Sequence, residues 1–415
     1  MTESFFDALI VGAGPAGSTA ATLLAARGWK VALVERKLFP RRKVCGEYLS
    51  GTNWPLLDLL GVSEEFALLA GPPVTETAIF VGSRMTTAPL PCPGGDTGRW
   101  GRALSREVLD TLLLDRARKA GAELYQPCRC DDITNIDGGF LCRLAMSETV
   151  HLEEVKARIV IAAHGSWERG SLVTQVSPRR SSARDLFAFK AHFRQTNLPP
   201  GMMPLLSFQD GYGGMVHCDG GRTSLSCCIR RSRLDLLDRS QGGQAGDAVL
   251  EHILRNCPPL RSAIGSAVRE EAWLSAGPIR PGLRPCCHHG IFVIGNAAGE
   301  AHPVVAEGIS MAMQSAWLLA SRLIPHQDAL NNSEIRGQIA KSYQAAWRRA
   351  FVPRIRTAAT VAHWAMHPAL VNLTMPFLHV WPGLLTWGAS LSGKERLVVN
   401  DSRTEATGKA NGVRL

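Results

Sequence analysis

The sequence predicts an α/β fold: a doubly wound parallel sheet, a mostly antiparallel β-sheet inserted into it, and a helical C-terminal segment. Three observations carry this. The first thirty-six residues read strand, glycine loop, helix, strand, acid. A second strand, glycine loop and long helix recur over 290–322. Between them, over roughly 171–275, short strand-like runs alternate with glycine-rich turns.

The elements follow in order. Ala8-Leu9-Ile10-Val11 is an apolar run of the kind buried on both faces of a parallel sheet. It leads into Gly12-Ala13-Gly14-Pro15-Ala16-Gly17, then an Ala- and Leu-rich helix ending near Gly28, then the strand Val31–Val34 and Glu35-Arg36. In this order the parts bind a dinucleotide. Gly12 allows the tight turn, Gly14 the approach of a pyrophosphate, and Gly17 close packing of helix on strand around Ala16, while Glu35 can accept hydrogen bonds from a ribose. The helix N-terminus offers its unpaired N–H groups to the phosphates.

From Gly101 onward, apolar residues at Val108, Leu109, Leu112 and Leu113 recur at helical spacing, with Ser105 as the cap and Gly121 as the stop. A strand at Glu123–Tyr125 and a hairpin plus parallel strand over 140–163 follow. Within 171–276 a helix is expected from Asp247, as N-cap, to Arg255. Lys190 and His192, two apart on a strand, share one face, turned either to a cavity or to solvent, with solvent the preferred reading. Strand 289–294, the loop Gly295-Asn296-Ala297-Ala298-Gly299 and a helix from Gly308 to Arg322 place a second loop at the carboxyl edge of the same sheet.

With 415 residues and 45% hydrophobic content, the chain can fill two or three packed units. Eleven cysteines, an odd number with no leader-like segment before Gly12, read as a reduced, cytoplasmic protein. Cys128-x-Cys130 and Cys286-Cys287-His288-His289 match no zinc spacing, so no metal is expected. The net charge of +10 is scattered apart from Arg41-Arg42-Lys43, Arg179-Arg180 and Arg230-Arg231. No aromatic platform accompanies these clusters, which argues against nucleic acid and for anionic cofactors or lipid headgroups.

Four motifs in sequence order resemble the flavin-dependent oxidoreductases of the p-hydroxybenzoate hydroxylase type, in the branch of geranylgeranyl reductases and flavin-dependent halogenases. They are Gly12-x-Gly14-x-x-Gly17 with Glu35; Pro40-Arg41-Arg42-Lys43-Val44-Cys45-Gly46-Glu47; Ser105-Arg106-x-x-Leu109-Asp110; and Gly295-Asn296 followed by Pro303 and Glu307-Gly308-Ile309. The resemblance covers about 5–345. It implies that the units over 1–170 and 277–345 form one Rossmann-like FAD-binding domain; the strand-like runs give an inserted substrate domain over 171–276, and composition gives a helical lid over 346–400 and a disordered tail at 401–415. It also implies that FAD is held by Gly12, Gly14, Ala16, Gly17, Glu35, Arg36, Arg42, Arg106, Gly295, Asn296, Gly308 and Ile309. Arg106 is assigned to the pyrophosphate or ribityl chain, and the backbone of Gly308 and Ile309 to the pyrimidine edge of the flavin.

Two departures stand out. Asn296 replaces the family's usual Asp, which removes a charge near the flavin, and Ala163-His164-Gly165-Ser166 replaces its Asp-Gly motif. A nicotinamide reductant, NADPH or NADH, is therefore expected to bind transiently or to be replaced by a separate reductase. Cys45 reads as a thiol donor or gate at the flavin, or as a packing residue in a turn. His302 reads as a phenolate partner or proton shuttle, or as a helix cap.

The branch implies three reactions. The expected one is FAD-dependent monooxygenation, through a flavin C4a-hydroperoxide, of an aromatic or polyketide-like, alkyl-chained substrate in secondary metabolism. Flavin-dependent reduction of isoprenoid double bonds is the alternative. Halogenation ranks last because the halogenase Trp-x-Trp-x-Ile-Pro motif is absent, and a non-enzymatic electron carrier is a further reading. Residues 357–390 are apolar and aromatic but interrupted by Pro368, Pro376, Pro382 and Gly383, which excludes a single spanning helix. A lid over an apolar pocket is the first reading of this segment, peripheral contact with a membrane the second. Oligomeric state is left open.

Overall fold

The computed structural model describes residues 5–399 except 94–97, 147–151, 168–169, 176–179 and 238–243; the expected tail at 401–415 lies outside the described residues. The chain builds two large sheets. In the first, the strands run Cys287–His288, Ile291–Val293, Leu152–Ala162, Phe5–Val11, Val31–Val34, Glu123–Tyr125. All neighbours are parallel except the first pair. Phe5–Val11 pairs with Val31–Val34 on one side (Ile10 opposite Leu33) and with Leu152–Ala162 on the other (Ile10 opposite Ile161). The strand order reverses there, and the crevice at its carboxyl end is where doubly wound folds bind ligands.

The helices Pro15–Ala25 and Gly308–Leu323 pack against each other beside this sheet, and Arg106–Lys119 packs on the first of them. Pro15 opens its helix at the position where a missing N–H costs nothing. On the edge away from Phe5–Val11, the strand Leu152–Ala162 serves two partners: its first half pairs antiparallel with Gly139–Met146, itself paired with Cys128–Ile136, and its last residues pair with Ile291–Val293. The expected parallel strand is therefore the second strand of the expected hairpin, continued.

The second sheet runs Val268–Arg269, Leu186–Arg194, Thr223–Arg230, Gly211–His217, Met202–Phe208, Glu76–Val81, Arg84–Pro89, with Leu274–Ile279 also paired to Leu186–Arg194. The strands Glu76–Val81 and Arg84–Pro89 come from within 1–170, so this sheet is not confined to 171–276. Glu76–Val81 pairs parallel with Met202–Phe208, Ile79 opposite Leu205. A pairing across so long a separation leaves no local pattern to read. One face of the sheet buries Phe189, Phe193, Phe208 and Leu225 against Val249, Ile253 and Leu260 of two helices, Ala245–Asn256 and Pro258–Ile264. The expected helix therefore begins earlier, with Gln244 at the N-cap position. Asp247 does not cap it, because its carboxylate accepts from Trp273 Nε1 at 2.8 Å and pairs with Arg269.

The expected boundary at 346 falls inside a single helix, whose residues Ile339, Tyr343 and Trp347 are buried in the core of the first sheet. A helix spans Ser333–Ala365, capped by Asn332, whose Oδ1 accepts from Glu334 N–H at 2.8 Å. Pro368–Val380 and Gly383–Ala389 follow, and Val371 and Met375 pack on Ile79 and Val81 of the second sheet. Among the described residues, no helix is long and apolar enough to cross a membrane.

Candidate functional site

The two glycine loops meet. A Cβ on Gly295 would stand 2.9 Å from the Cβ of Ala16, and Gly295 N–H donates to Ser315 Oγ at 2.7 Å. A Cβ on Gly17 would fall 1.8 Å from the Gly12 carbonyl oxygen, which explains the third glycine by packing alone. Gly14 is different. A Cβ there would meet only the guanidinium tips of Arg41 and Arg106, at 3.8 and 3.9 Å. A space bounded by a glycine backbone, a helix N-terminus and two cations suits a diphosphate, so the residues present fit FAD.

Arg106 is buried and held by Asp110 through two 2.7 Å hydrogen bonds, Nε to Oδ1 and Nη2 to Oδ2. Burial alone would lower its pKa, but Asp110 reverses the effect and the charge is held firmly. Glu35 is also buried. It tethers the glycine loop, its Oε2 accepting from Ala13 N–H at 3.0 Å and its Oε1 from Lys37 N–H at 2.9 Å. Arg42, expected at the cofactor, instead pairs with Glu271 at 2.5 Å and lies 3.9 Å from Glu107. Its neighbour Arg41 instead stands beside Gly14, 3.5 Å from Glu35 and 3.6 Å from Asp110. The cluster was visible in sequence; which member turned inward was not. Arg36 is exposed just beyond Glu35.

On the second loop, Asn296 is half-buried and its carbonyl accepts from Arg284 Nη1 at 2.9 Å. Gly308 and Ile309 open the helix Gly308–Leu323, and nothing lies within 4 Å of a Cβ built on Gly308. That open N-terminus can receive the pyrimidine edge of a flavin and favour negative charge upon it. Glu307, just before it, is buried and tied down by a residue far along the chain: Lys394 Nζ donates to Glu307 Oε1 at 2.9 Å and to the Val305 carbonyl at 2.7 Å. Nothing local in the sequence marks Lys394 for this task.

Beside this loop lies a cavity of about 240 Å³. Its floor is Cys45, Gly46 and Pro303–Ala306, one wall the second sheet through Ala188, Tyr212, Gly214 and Cys228, and its roof Trp364, Leu384 and Leu385. Cys45 thus reaches the cavity, and its Sγ accepts from Glu47 N–H at 3.3 Å. His302 stands behind Tyr212, whose hydroxyl is 3.3 Å from His302 Nδ1. Burial lowers the His302 pKa to about 4 and raises that of Tyr212 well above its ordinary value. Both groups are therefore neutral, and the His302 tautomer sets which of them donates. His302 occupies the N-cap position of the turn Pro303–Val305 but makes no side-chain cap bond.

Residues 6–334 match the family described as FAD binding domain. The chain belongs to this family. It is an FAD-dependent oxidoreductase. It is similar to conditioned medium factor receptor 1 of Dictyostelium discoideum, 26% identical over 94% of this chain and 74% of the relative. It is also similar to digeranylgeranylglycerophospholipid reductase 2 of Methanopyrus kandleri, 25% identical over 83% of both chains. Among solved structures, the myxobacterial chondrochloren halogenase CndH superposes with a TM-score of 0.75 at 20% identity, over 98% of this chain and 89% of that one. PqsL of Pseudomonas aeruginosa, in complex with 2-aminobenzoylacetate, superposes with a TM-score of 0.72 at 17% identity, over 88% and 98%. At these identities the superpositions establish the fold.

In this flavoprotein Lys190 and His192 do share a face, but it is turned inward and neither side chain has exposed surface. The solvent reading fails because the strand Leu186–Arg194 is covered on both faces, by helices on one side and by the Cys45–Glu47 turn on the other. Glu47 takes all the donors: Oε1 accepts from the Lys190 ammonium and from Arg106 N–H at 3.0 Å, and Oε2 from His192 Nε2 at 2.8 Å. Burial works to raise the Glu47 pKa, but His192 and Lys190 prevail and hold it at about 2. Glu47, His192 and Cys218 bring ligand-type atoms within 4.8 Å of one another. A cation there would have to displace Lys190 from a carboxylate that already has three donors, and burial keeps the Cys218 thiol protonated.

Nor does Ser105 cap its helix by its own hydroxyl. Its N–H and Oγ both donate to Asp219, at 2.6 and 3.1 Å, and Glu47 receives the first helical N–H. His164 is buried, with Nδ1 2.8 Å from the Gly165 carbonyl, and burial lowers its pKa to about 4.

These shifts predict acid lability. The unfolded chain protonates histidines near 6.5 whereas folded His164 and His302 resist until about 4, so their stabilising contribution is complete above 6.5 and lost as pH falls towards 4. Glu47 contributes above 4.5 and loses its share as pH falls through about 2. Melting temperature is thus expected to fall below pH 6.5, and a His164→Asn/His302→Gln double variant should show a flatter profile between pH 6.5 and 5. An unchanged slope in differential scanning fluorimetry would contradict the neutral burial of these two rings.

Proposed function

We propose that this flavoprotein is a monooxygenase that hydroxylates an aromatic or polyketide-like, alkyl-bearing molecule. The observation that carries this is the apolar cavity of about 240 Å³ between the flavin-side loop Pro303–Ala306 and the second sheet. Its size is close to the lower end of small-molecule sites, roughly 300–1,000 Å³, and suits a compact ring system. Bound FAD would supply oxygen activation and the electrons for it.

The chain's own residues have separate tasks. Arg41 and Arg106 hold the diphosphate, while the N–H groups of Gly308 and Ile309 favour negative charge at the flavin's pyrimidine edge. Trp364, Leu384 and Leu385 keep water from the cavity. Tyr212, protonated over the working range, presents its hydroxyl at the wall: with neutral His302 donating to it from Nδ1, its one proton is directed to a carbonyl or phenolic oxygen of the substrate. Reducing equivalents arrive from transiently bound NADPH or NADH, or from a separate reductase.

A second reading, reduction of isoprenoid double bonds, is favoured by Cys45 at the cavity floor and by the similarity to the Methanopyrus kandleri reductase. The test reduces the holoenzyme and presents it with phenols, polyketide-like aromatics and prenyl lipids, with and without air. Oxygen uptake stoichiometric with a product heavier by one oxygen atom supports the monooxygenase. Anaerobic turnover of a prenyl lipid replaces it with the reductase, and product formation that requires halide replaces both.

A further inference from the structure

The helices over the cavity carry an apolar surface on both sides. Their inner side, Val371, Met375 and Leu385, packs on the second sheet or lines the cavity. Their outer side is exposed: Leu370, Leu373, Phe377, Val380, Leu384 and Trp387 on the helices, Trp381 between them and Leu391 in the turn after them follow one another mostly at three- or four-residue steps. Leu373 is 70% exposed, Trp381 59% and Trp387 63%. Eight of the twenty large hydrophobic residues exposed among the described residues fall in this stretch of twenty-two, so this is a patch and not scatter. Met85, 52% exposed, lies on the adjoining strand Arg84–Pro89.

Charge indicates what covers the patch. From Thr357 to Gly393 the sequence has no Asp, Glu, Lys or Arg. On either side, over 335–399, stand eight Lys or Arg residues and one acid, Glu395. Arg348, Arg349, Arg356 and Arg396 are exposed, and Arg84 Nη1 reaches the Asn372 carbonyl at the edge of the patch. A second protein surface would be expected to meet some polar rim within such a patch, whereas an uncharged, tryptophan-bearing stripe flanked by cations matches an anionic bilayer surface. Prolines 368, 376 and 382 keep the segment in short pieces that lie flat and do not span.

We propose that the helices Pro368–Val380 and Gly383–Ala389 dock this enzyme on an anionic lipid surface, so that an apolar substrate enters the cavity directly from the bilayer. Leu384 connects the two surfaces: it is part of the exposed stripe and also lines the cavity. Substrate passing beneath this helix need not cross water. The inference is independent of which reaction the cavity supports.

The test is flotation of the holoenzyme with phosphatidylcholine vesicles with and without phosphatidylglycerol. Light scattering of the vesicle-free protein accompanies it. The wild type is expected to float with vesicles containing phosphatidylglycerol, less so at high salt. The W381S/W387S variant, with unchanged flavin content and melting temperature, should bind vesicles at least about tenfold more weakly. Failure of the wild type to float with phosphatidylglycerol vesicles, or flotation of the variant equal to wild type, overturns the proposal. So does a wild-type dimer that the double substitution converts to monomer, since the patch would then be a seam between two copies.

Discussion

Gly14→Val should yield a folded protein that has lost its flavin. Neither backbone nor side-chain packing is violated by the first carbon, because a Cβ at Gly14 would lie at ordinary contact distance from Arg41 and Arg106, 3.8 and 3.9 Å. The damage comes from the two methyl groups beyond it, which enter the volume that a diphosphate needs next to the helix N-terminus. The expected loss of FAD affinity is at least about a hundredfold, since both guanidinium contacts and the helix N–H contacts depend on that approach. Absorbance at the flavin band relative to protein, together with far-ultraviolet circular dichroism, checks both halves. Gly17→Ala provides the contrast: its Cβ would lie 1.8 Å from the Gly12 carbonyl oxygen, so it should lose the fold along with the cofactor. A Gly14→Val protein with a normal flavin spectrum would place the diphosphate elsewhere.

The second large effect is at Glu47. Glu47→Ala removes the shared acceptor of Lys190, His192 and the Arg106 N–H, leaving a buried ammonium and a buried helix-end donor without it. Breaking a buried ion pair from one side typically costs about 3–5 kcal/mol. Lys190→Met should be costly for the same reason, because the carboxylate it leaves is fully buried. The double variant Glu47→Ala/Lys190→Met is expected to lose clearly less than the sum, since neither charge is then stranded. Urea midpoints of the three variants read this coupling directly. If Glu47→Ala costs less than about 1 kcal/mol, the pair is solvated in the working protein. The local consequence would be at the flavin side, because Glu47 continues the turn whose Cys45 and Gly46 form the cavity floor.

Much of the cofactor half was legible because it is locally encoded. Strand, glycine loop, helix and acid follow one another within the first thirty-six residues, and each has a physical reason confined to its neighbours: a run of apolar residues for a strand buried on both faces, a glycine where no Cβ fits, a proline at a helix start. The second glycine loop was legible for the same reason. Misreadings arose where a side chain's partner lies far along the chain. Period-two alternation correctly put Lys190 and His192 on one face, but whether that face met water depended on Glu47, more than 140 residues earlier. Ser105 and Asp247 are good capping residues by type, yet each was taken by a distant partner, Asp219 in one case and Trp273 with Arg269 in the other.

The sequence by itself determined the dinucleotide-binding strand, glycine loop and helix, the order of the elements and a second glycine loop after a buried strand, because those features rest on backbone sterics and short-range periodicity. Only the tertiary structure decided that Arg41 and not Arg42 stands beside Gly14, that Glu76–Val81 and Arg84–Pro89 complete the second sheet, and that Lys394 ties down Glu307 at the second glycine loop. It also decided that the apolar C-terminal helices roof a cavity while exposing a second apolar face. These outcomes depend on which surfaces the chain brings together across long separations, and the free energy of burying a charge or an apolar stripe is set by the partner that covers it, not by the residues on either side of it.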